Sequence, residues 1–568
     1  VRLRRRPSGS VVLAAAAVIA CAPLGARAQG AAPPSAGASA ASPAASRTLS
    51  DAFGLDVATR GAPGGSAVPP AAVAGVGWVR ITANWADLEP ARGTYAWAEL
   101  DEAIRRAQAA RERVLVMVQT TPRWAAPEPS APPSVWRHQP PQRLGDWQAF
   151  VAAAATRYRG RVAAWQIEPA LDLAMFRGTS EDYRQMLHAA RDAVRRADRA
   201  AWVVAASPSG IDLAFIKALL GRAGDDFDAL MLYPRGRTPG DVLEALGVIR
   251  ARILGADARH QLWMSARPEW GAEAPLAVAA LAGGVAREFW PRLDAPLATV
   301  VRLLGAARFV GPLDRGPDVY ALVFTDGVAP VAVVWSAGAP RAVPLATTGA
   351  LTAIGAAGRV VASGAESTVV AGPEPVFVSN PAPSVVEEAR RTAQQGPFQV
   401  PRDSAHDFSK AESVSAELGA TNVEHGLYNQ RLRSLRSGNV VPISVDGAEA
   451  VRTDQARDAV YVYFDVDHSF AYFVDGRYDV VISVEVHRAS APQLVGFNLL
   501  YDSTSGYRFT PWQWVEAGQG WATYTFRITD ANFASTWGWD FAVNGAGDKK
   551  ENLVVRAVTV KKVPPGAP

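Results

Sequence analysis

The feature that most constrains this chain is an alternation. Between about residues 51 and 305, short apolar runs at 78–81, 114–118, 162–167, 202–206, 229–232, 262–264 and 288–290 are separated by amphipathic stretches at 100–111, 147–157, 181–196 and 240–253. Runs this short suit buried strands, whereas the stretches between them place apolar side chains at helical spacing. Repeated βα units over roughly 250 residues close most simply into one (β/α)8 barrel, with helices covering a parallel sheet. The sequence therefore predicts a TIM-type barrel over 51–305.

After residue 305 the period changes to two. Alternating segments at 320–324, 331–335, 350–354 and 359–362, separated by Gly, Pro and Asp, predict a small antiparallel β domain over 306–380. Residues 381–407, rich in Pro, Ser, Gln and charge, read as a linker. The segment 408–568 is again all β and predicts a jelly-roll-like sandwich, with aromatic residues concentrated between 501 and 541.

Composition narrows the function classes. Hydrophobic residues make up 49% and charged residues 20% of the 568, a globular balance that excludes a disordered or polytopic membrane protein. The formal charge of +4 arises at one end: residues 1–28 hold Arg2, Arg4, Arg5, Arg6 and Arg27 and no acid, which leaves −1 for the rest. Nucleic acid is not an expected partner. Cys21 is the only cysteine, so the body has no internal disulfide, no Cys-based zinc site and no thiol catalysis.

Residues 1–28 read as an export signal. An arginine cluster precedes an apolar core at 11–20 too short to span a bilayer, and Ala26-Arg27-Ala28 offers a small-residue cleavage site. Val18-Ile19-Ala20-Cys21 also resembles a bacterial lipobox, which implies an alternative lipid anchor at Cys21. Residues 29–50 are expected to be a disordered linker. The body is then secreted or periplasmic, or tethered outside the cytoplasm, with the membrane a partner only through Cys21.

The barrel carries a resemblance. Gly77-Trp78-Val79-Arg80-Ile81, then Asn84-Trp85-Ala86-Asp87-Leu88-Glu89-Pro90-Ala91-Arg92-Gly93-Thr94-Tyr95-Ala96-Trp97 and Leu100-Asp101, resembles the opening of clan A glycoside hydrolases, especially the family 39-like branch. Thr121-Pro122-Arg123-Trp124-Ala125 is similar to that group's segment after strand 3, and 176–183 to the start of its fourth helix. The resemblance covers about 51–380. It implies a nucleophile and an acid/base carboxyl, at the ends of strands 7 and 4, about 5–5.5 Å apart.

Those positions are degenerate here. The family's Trp-x-Ile-Trp-Asn-Glu-Pro falls on Trp165-Gln166-Ile167-Glu168-Pro169-Ala170-Leu171, so the acid/base becomes Ala170; Trp-x-Thr-Glu falls on Trp263-Met264-Ser265-Ala266, so the nucleophile becomes Ala266. The strand 6 His-Pro-Tyr is replaced by Tyr233-Pro234-Arg235. A rival alignment with a two-residue deletion makes Glu168 the acid/base and Glu269 the second carboxyl. Side chains alternate along a strand, so Glu168 sits below Ala170, where pairing with Arg80 is expected instead.

A surviving cleft would be lined by Asn84, Trp85, Trp124, Asp172, Tyr233, Arg235, Arg267 and Trp290. Aromatic faces suit the C–H side of a sugar and planar polar groups its hydroxyls, and the two arginines could hold a uronate carboxylate. Each Trp has barrel packing as its ordinary alternative, and each Arg a salt bridge. In the C-terminal segment, 497–503 and 507–514 resemble sandwich modules of bacterial carbohydrate-active proteins. Tyr507, Trp512, Trp514 and Trp539, with Trp521 and Trp537, exceed what one small core needs. Asp465, Asp467 and Asp475 read as solvated turn acids rather than a calcium site. The sequence has no P-loop, no His-Glu-x-x-His and no Gly-x-Ser-x-Gly elbow, and no cofactor is expected.

Three functions remain open on the sequence. The first is an exported, hydrolase-like protein without catalysis that binds polysaccharide through the barrel cleft and the sandwich. The second is an active retaining β-glycosidase using Glu168 and Glu269. The third is a structural cell-surface protein.

Overall fold

The computed structural model describes residues 50–58, 75–172, 175–255, 259–267, 272–365, 367–396, 398, 400–402, 406–430, 438–536, 538–547 and 551–566. The readings for the export segment with Cys21, for Glu269 and for Trp537 lie outside them.

Eight parallel strands close the barrel: β1 (Ser50–Ala58), β2 (Val76–Asn84), β3 (Arg113–Gln119), β4 (Ala164–Ile167), β5 (Trp202–Ser209), β6 (Ala229–Tyr233), β7 (Gln261–Ser265) and β8 (Arg287–Trp290), with β1 pairing β8. Seven of these follow the apolar runs. The eighth, β1, is masked in the sequence because Asp51 and Asp56 interrupt its apolar pattern. Both acids have barrel partners: Asp51 accepts from Trp78 Nε1 (2.8 Å) and Arg287 (2.8 Å), and Asp56 pairs with Arg80 (2.6 Å).

The inside of the barrel is filled in layers. Lowest, Trp78 meets Trp263 edge-on at 5.4 Å, Trp202 stacks on Trp263 at 5.9 Å, and the Arg287 guanidinium lies 4.8 Å from the Trp263 ring. Above them Arg80 holds both Asp56 oxygens, donates to Ser265 Oγ (2.7 Å) and reaches Gln166 Oε1 (3.3 Å). Gln166 Nε2 donates onward to the Tyr233 hydroxyl (2.7 Å). Arg80, Asp56, Gln166 and the Tyr233 hydroxyl are thus joined in one network, which is what makes a charged barrel interior tolerable, whereas the buried Arg287 Nε has no hydrogen-bond partner.

The small β domain is a six-stranded antiparallel sheet that includes Val319–Thr325 and Pro330–Ser336, beside the two-stranded pair Arg341–Pro344 and Thr368–Ala371. The linker expected over 381–407 needs correction. Pro383–Gln394 is a helix, started by proline in its first turn, and it buries Val385, Val386 and Ala389 on that sheet. Its apolar residues at i, i+1 and i+4 were outweighed in the sequence reading by the surrounding Pro, Gln and charge.

The C-terminal segment forms two antiparallel sheets over one core. Asp479–His487 pairs with Trp521–Ile528 and Val554–Val563 in the first; Tyr461–Val466, Phe541–Asn544 and Gly496–Ser503 run side by side in the second. Val480, Ile482, Val484 and Val486 alternate into this core and meet Phe464, Phe497, Leu499 and Phe541.

Candidate functional site

The site expected of a barrel lies at the C-terminal ends of its strands. Glu168 is the first residue past β4, and its backbone is left-handed, with φ 63°. That conformation is costly for a side chain bearing a Cβ and persists only where surrounding bonds enforce it. Here the Glu168 amide donates to Val118 O (2.9 Å), and its carbonyl accepts from Gln166 Nε2 (2.8 Å). From outside, Tyr183 ties β4 to β5: its hydroxyl donates to Ile167 O (3.0 Å) and accepts from Ala206 N (2.6 Å). Tyr183 is placed by helix Ser180–Ala197, whose start is fixed by the Thr179–Asp182 capping box.

The Glu168 residue is 4% exposed, and burial pushes its carboxyl up to about 8. The expected pairing with Arg80 does not form, because Asp56 on β1 engages that guanidinium. Glu168 is therefore a neutral carboxyl at neutral pH. Ala170 is 9% exposed and Ala266 is fully enclosed, so the two strand ends that the resemblance assigns to catalysis offer methyl groups.

The remaining candidates separate by burial. Asn84 accepts from Gln119 Nε2 (2.8 Å) and donates to Asp87 (3.0 Å). Asp172 accepts from the Ser209 amide (2.9 Å) and hydroxyl (2.6 Å), and the exposed Arg235 lies 4.0 Å from it. Arg267 is exposed beside Ala266. These form a polar rim, and Tyr233 lies buried beneath it with Gln166.

Trp85 and Trp290 are not cleft residues. Trp85 follows the inward-facing Asn84 and so turns outward, where it stacks on Phe150 (5.4 Å) and donates to Glu89 Oε2 (2.7 Å). Trp290 alternates with Phe289, which faces Trp263 inside, and instead donates to Glu288 (3.1 Å) on the outer side of β8. Trp124 is half-buried: its Nε1 donates to Glu89 O (2.8 Å), and Arg92 lies 4.8 Å from its ring. Gln166, Gln119 and Ser209 were missed. The inward parity of Gln166 with Glu168 was the available signal.

Two surface hollows lie elsewhere. One of about 800 Å³ is lined by Trp97, Asp101, Thr156, Arg157 and Arg161 on the helical layer, and one of about 500 Å³ by Arg113, Val114, Ala163 and Ala201 at the opposite end of the strands.

On the sandwich, Trp514 is 38% and Phe509 54% exposed. Trp512 is half-buried, lies over Gly496 and Gly547, and meets Trp514 edge-on at 6.0 Å. A side chain at either glycine would run into the indole. Trp539 is buried between Tyr463 (4.9 Å) and Tyr507 (4.5 Å), and Tyr461 stacks on Tyr463. Since Val462 and Phe464 point into the core, Tyr461 and Tyr463 lie on the outer face of their sheet. The expected platform is thus divided into an exposed Trp514 and a packed cluster around Trp539.

The turn acids are likewise not simply solvated. Asp465 accepts from Ser535 Oγ (2.5 Å), Asp467 from Tyr428 (3.0 Å) and Ser469, and Asp475 pairs with Lys217 (2.8 Å). Among the described residues, Asp241, Glu244 and His468 are the group whose ligand atoms converge, within 4.8 Å of one another.

No protein-family model matches the chain, and a search of curated proteins finds no match. Among solved structures, the chain is similar to a GH30 endoxylanase from Clostridium papyrosolvens C71, at 13% identity and a TM-score of 0.45 over 59% of this chain and 97% of that one. It is also similar to a glucosidase from Croceicoccus marinus (14%, TM-score 0.37, 91% and 96% covered) and to endo-glycoceramidase II from Rhodococcus sp. (15%, TM-score 0.34, 58% and 97% covered).

Proposed function

We propose that this is an exported, glycoside-hydrolase-like protein that binds polysaccharide without hydrolysing it, residues 1–28 acting as its export segment. The observation that carries the reading is the pair of methyl groups, Ala170 and Ala266, at the ends of β4 and β7. Retaining hydrolysis needs two opposed carboxyls, one ionised as nucleophile and one protonated as acid. Glu168 has the raised pKa of an acid. The acids Asp56 and Asp172 are committed to Arg80 and to Ser209.

Binding is the chemistry that remains. The rim of Asn84, Asp172, Arg235 and Arg267 presents hydroxyl- and carboxylate-binding groups, and the exposed indole of Trp514 offers a stacking face. Affinity electrophoresis of the whole chain against neutral and uronate-containing polysaccharides tests this. Retardation by a glycan, weakened by Trp514→Ala or by Arg235→Ala, supports the reading; free migration in every gel refutes it.

A further inference from the structure

The sandwich meets the barrel beside β5 and β6. Arg237, 6% exposed, donates from Nε to Gly210 O (2.7 Å) and from Nη2 to Ala534 O (2.6 Å). Arg252 donates to Phe473 O (2.6 Å), and Lys217 pairs with Asp475 (2.8 Å). Gly210 has φ +84°, and a Cβ there would overlap the Thr536 carbonyl, so the barrel and sandwich backbones approach at a position that requires glycine.

Within this seam lies His468, with 11% of its side chain exposed. Its Nδ1 is 2.7 Å from Glu244 Oε2 and 4.0 Å from Asp241 Oδ1, both on the barrel helix Pro239–Val248. Its Nε2 is 3.2 Å from Ser535 Oγ, and its ring stacks on Tyr472 at 4.2 Å. Arg402, on the segment entering the sandwich, pairs with the other Glu244 oxygen.

We propose that His468 and Glu244 form a proton-dependent clasp, which holds the sandwich against the barrel rim while His468 is protonated and releases it when that proton leaves. The groups facing the ring are Asp241 and Glu244 from the barrel helix, Asp465 from strand Tyr461–Val466, and Asp540 with Ser535 from the loop before Phe541–Asn544. Tyr472 covers one face, and the cations nearby are Arg402 on Glu244 and Arg237 beside Tyr472 and Asp465. Burial works against an imidazolium here, but the Glu244 hydrogen bond and the charges of Glu244, Asp465 and Asp241 outweigh it and raise His468 to about 9.

The sign follows. A histidine whose folded pKa lies above its ordinary 6.5 gives full stabilisation below 6.5 and loses it as pH rises through about 9. Burial also raises Asp465, Asp540 and, to about 7, Asp502, so these carboxyls gain unfavourable buried charge in the same upward direction. Glu244 is the opposite case: burial would raise it, and His468 and Arg402 hold it below its ordinary value, so its contribution fails only in acid. Among these groups a proton, rather than a divalent cation, fills the Asp241–Glu244–His468 cluster, because Arg402 and the imidazole already engage both Glu244 oxygens.

The consequence concerns access. Gly210 follows Ser209, which holds Asp172 beside Arg235, so the seam adjoins the barrel rim on that side, and its opening would widen the approach to that rim.

Small-angle scattering of the whole chain from about pH 6 to about pH 10 tests the clasp. The expected result is constant dimensions to about pH 8, then an expansion with a midpoint near 9 that is absent when Lys217→Cys and Asp475→Cys are cross-linked. His468→Gln and Glu244→Gln should expand already at neutral pH. Should those variants fail to fold, the His468 ring titration in the unmodified protein decides by NMR: a midpoint above about 8 supports the clasp, and one near 6.5 overturns it. Unchanged dimensions through pH 10 overturn it, as does a rise in melting temperature at neutral pH on adding zinc with perturbation of the His468 signals.

Discussion

The Gln166 side-chain amide donates across the inside of the barrel to the Tyr233 hydroxyl at 2.7 Å, and the same nitrogen donates to the Glu168 carbonyl at 2.8 Å. One amide thus links β4 to β6 and holds the left-handed backbone of Glu168. Arg80 reaches the amide oxygen from β2, so Arg80, Gln166 and Tyr233 form a continuous polar network on the floor of the barrel mouth.

Burial pushes the Glu168 carboxyl up to about 8 in the folded chain, from an ordinary 4.5. A raised carboxyl gives its stability at low pH and loses it as pH climbs from 4.5 through 8. Glu168→Gln should therefore remove that dependence and be more stable than the parent at about pH 9, by on the order of 5 kcal/mol, with little difference at about pH 4. Denaturant unfolding at the two pH values measures it.

Arg80→Met should destabilise by about 3 kcal/mol, because it leaves Asp56 unpaired within the barrel. Adding Asp56→Asn should recover part of that loss. A double-mutant cycle from urea unfolding reads the coupling.

The sandwich aromatics should divide as their burial does. Trp539→Ala, emptying the space between Tyr463 and Tyr507, should cost about 3 kcal/mol, whereas Trp514→Ala should change stability by less than about 1 kcal/mol. Trp514→Ala should instead weaken glycan retardation, by an amount equivalent to roughly 1 kcal/mol. Calorimetry and affinity electrophoresis on the same two variants separate the roles.

Installing carboxyls at the two positions where the sequence resemblance places them should not create a hydrolase. Ala266 is wholly enclosed, so Ala266→Glu must bury an acid without a partner and should destabilise by a few kcal/mol, about 2–4. Ala170→Glu combined with Ala266→Glu should show no turnover of aryl glycosides, since Pro169, Tyr233 and Arg235 stand where the resemblance places supporting polar residues. Efficient turnover by the double variant would contradict this.

The barrel was legible because seven of its strands are short, predominantly apolar runs, and β1 was not because its two acids, satisfied by Arg80 and Arg287, partners distant in sequence, break its apolar pattern. Alternation also explains which site residues could be placed. Asn84 was recognisable as inward, and the same rule, applied one residue further, would have turned Trp85 outward. No local rule reveals that Asp56 rather than Glu168 takes Arg80, since this depends on the pairing of β1 with β2, which sets Asp56 opposite Arg80. The helix at Pro383–Gln394 and the His468–Glu244 contact are tertiary facts of the same kind, joining residues whose own neighbourhoods read as linker and turn.

The most direct test of the central claim is reducing-end release from whichever polysaccharide retards the whole chain in affinity electrophoresis, measured over prolonged incubation against buffer alone. The account predicts retention of that glycan with no release above the buffer control. Sustained release that disappears in Glu168→Gln would contradict it and establish an active hydrolase.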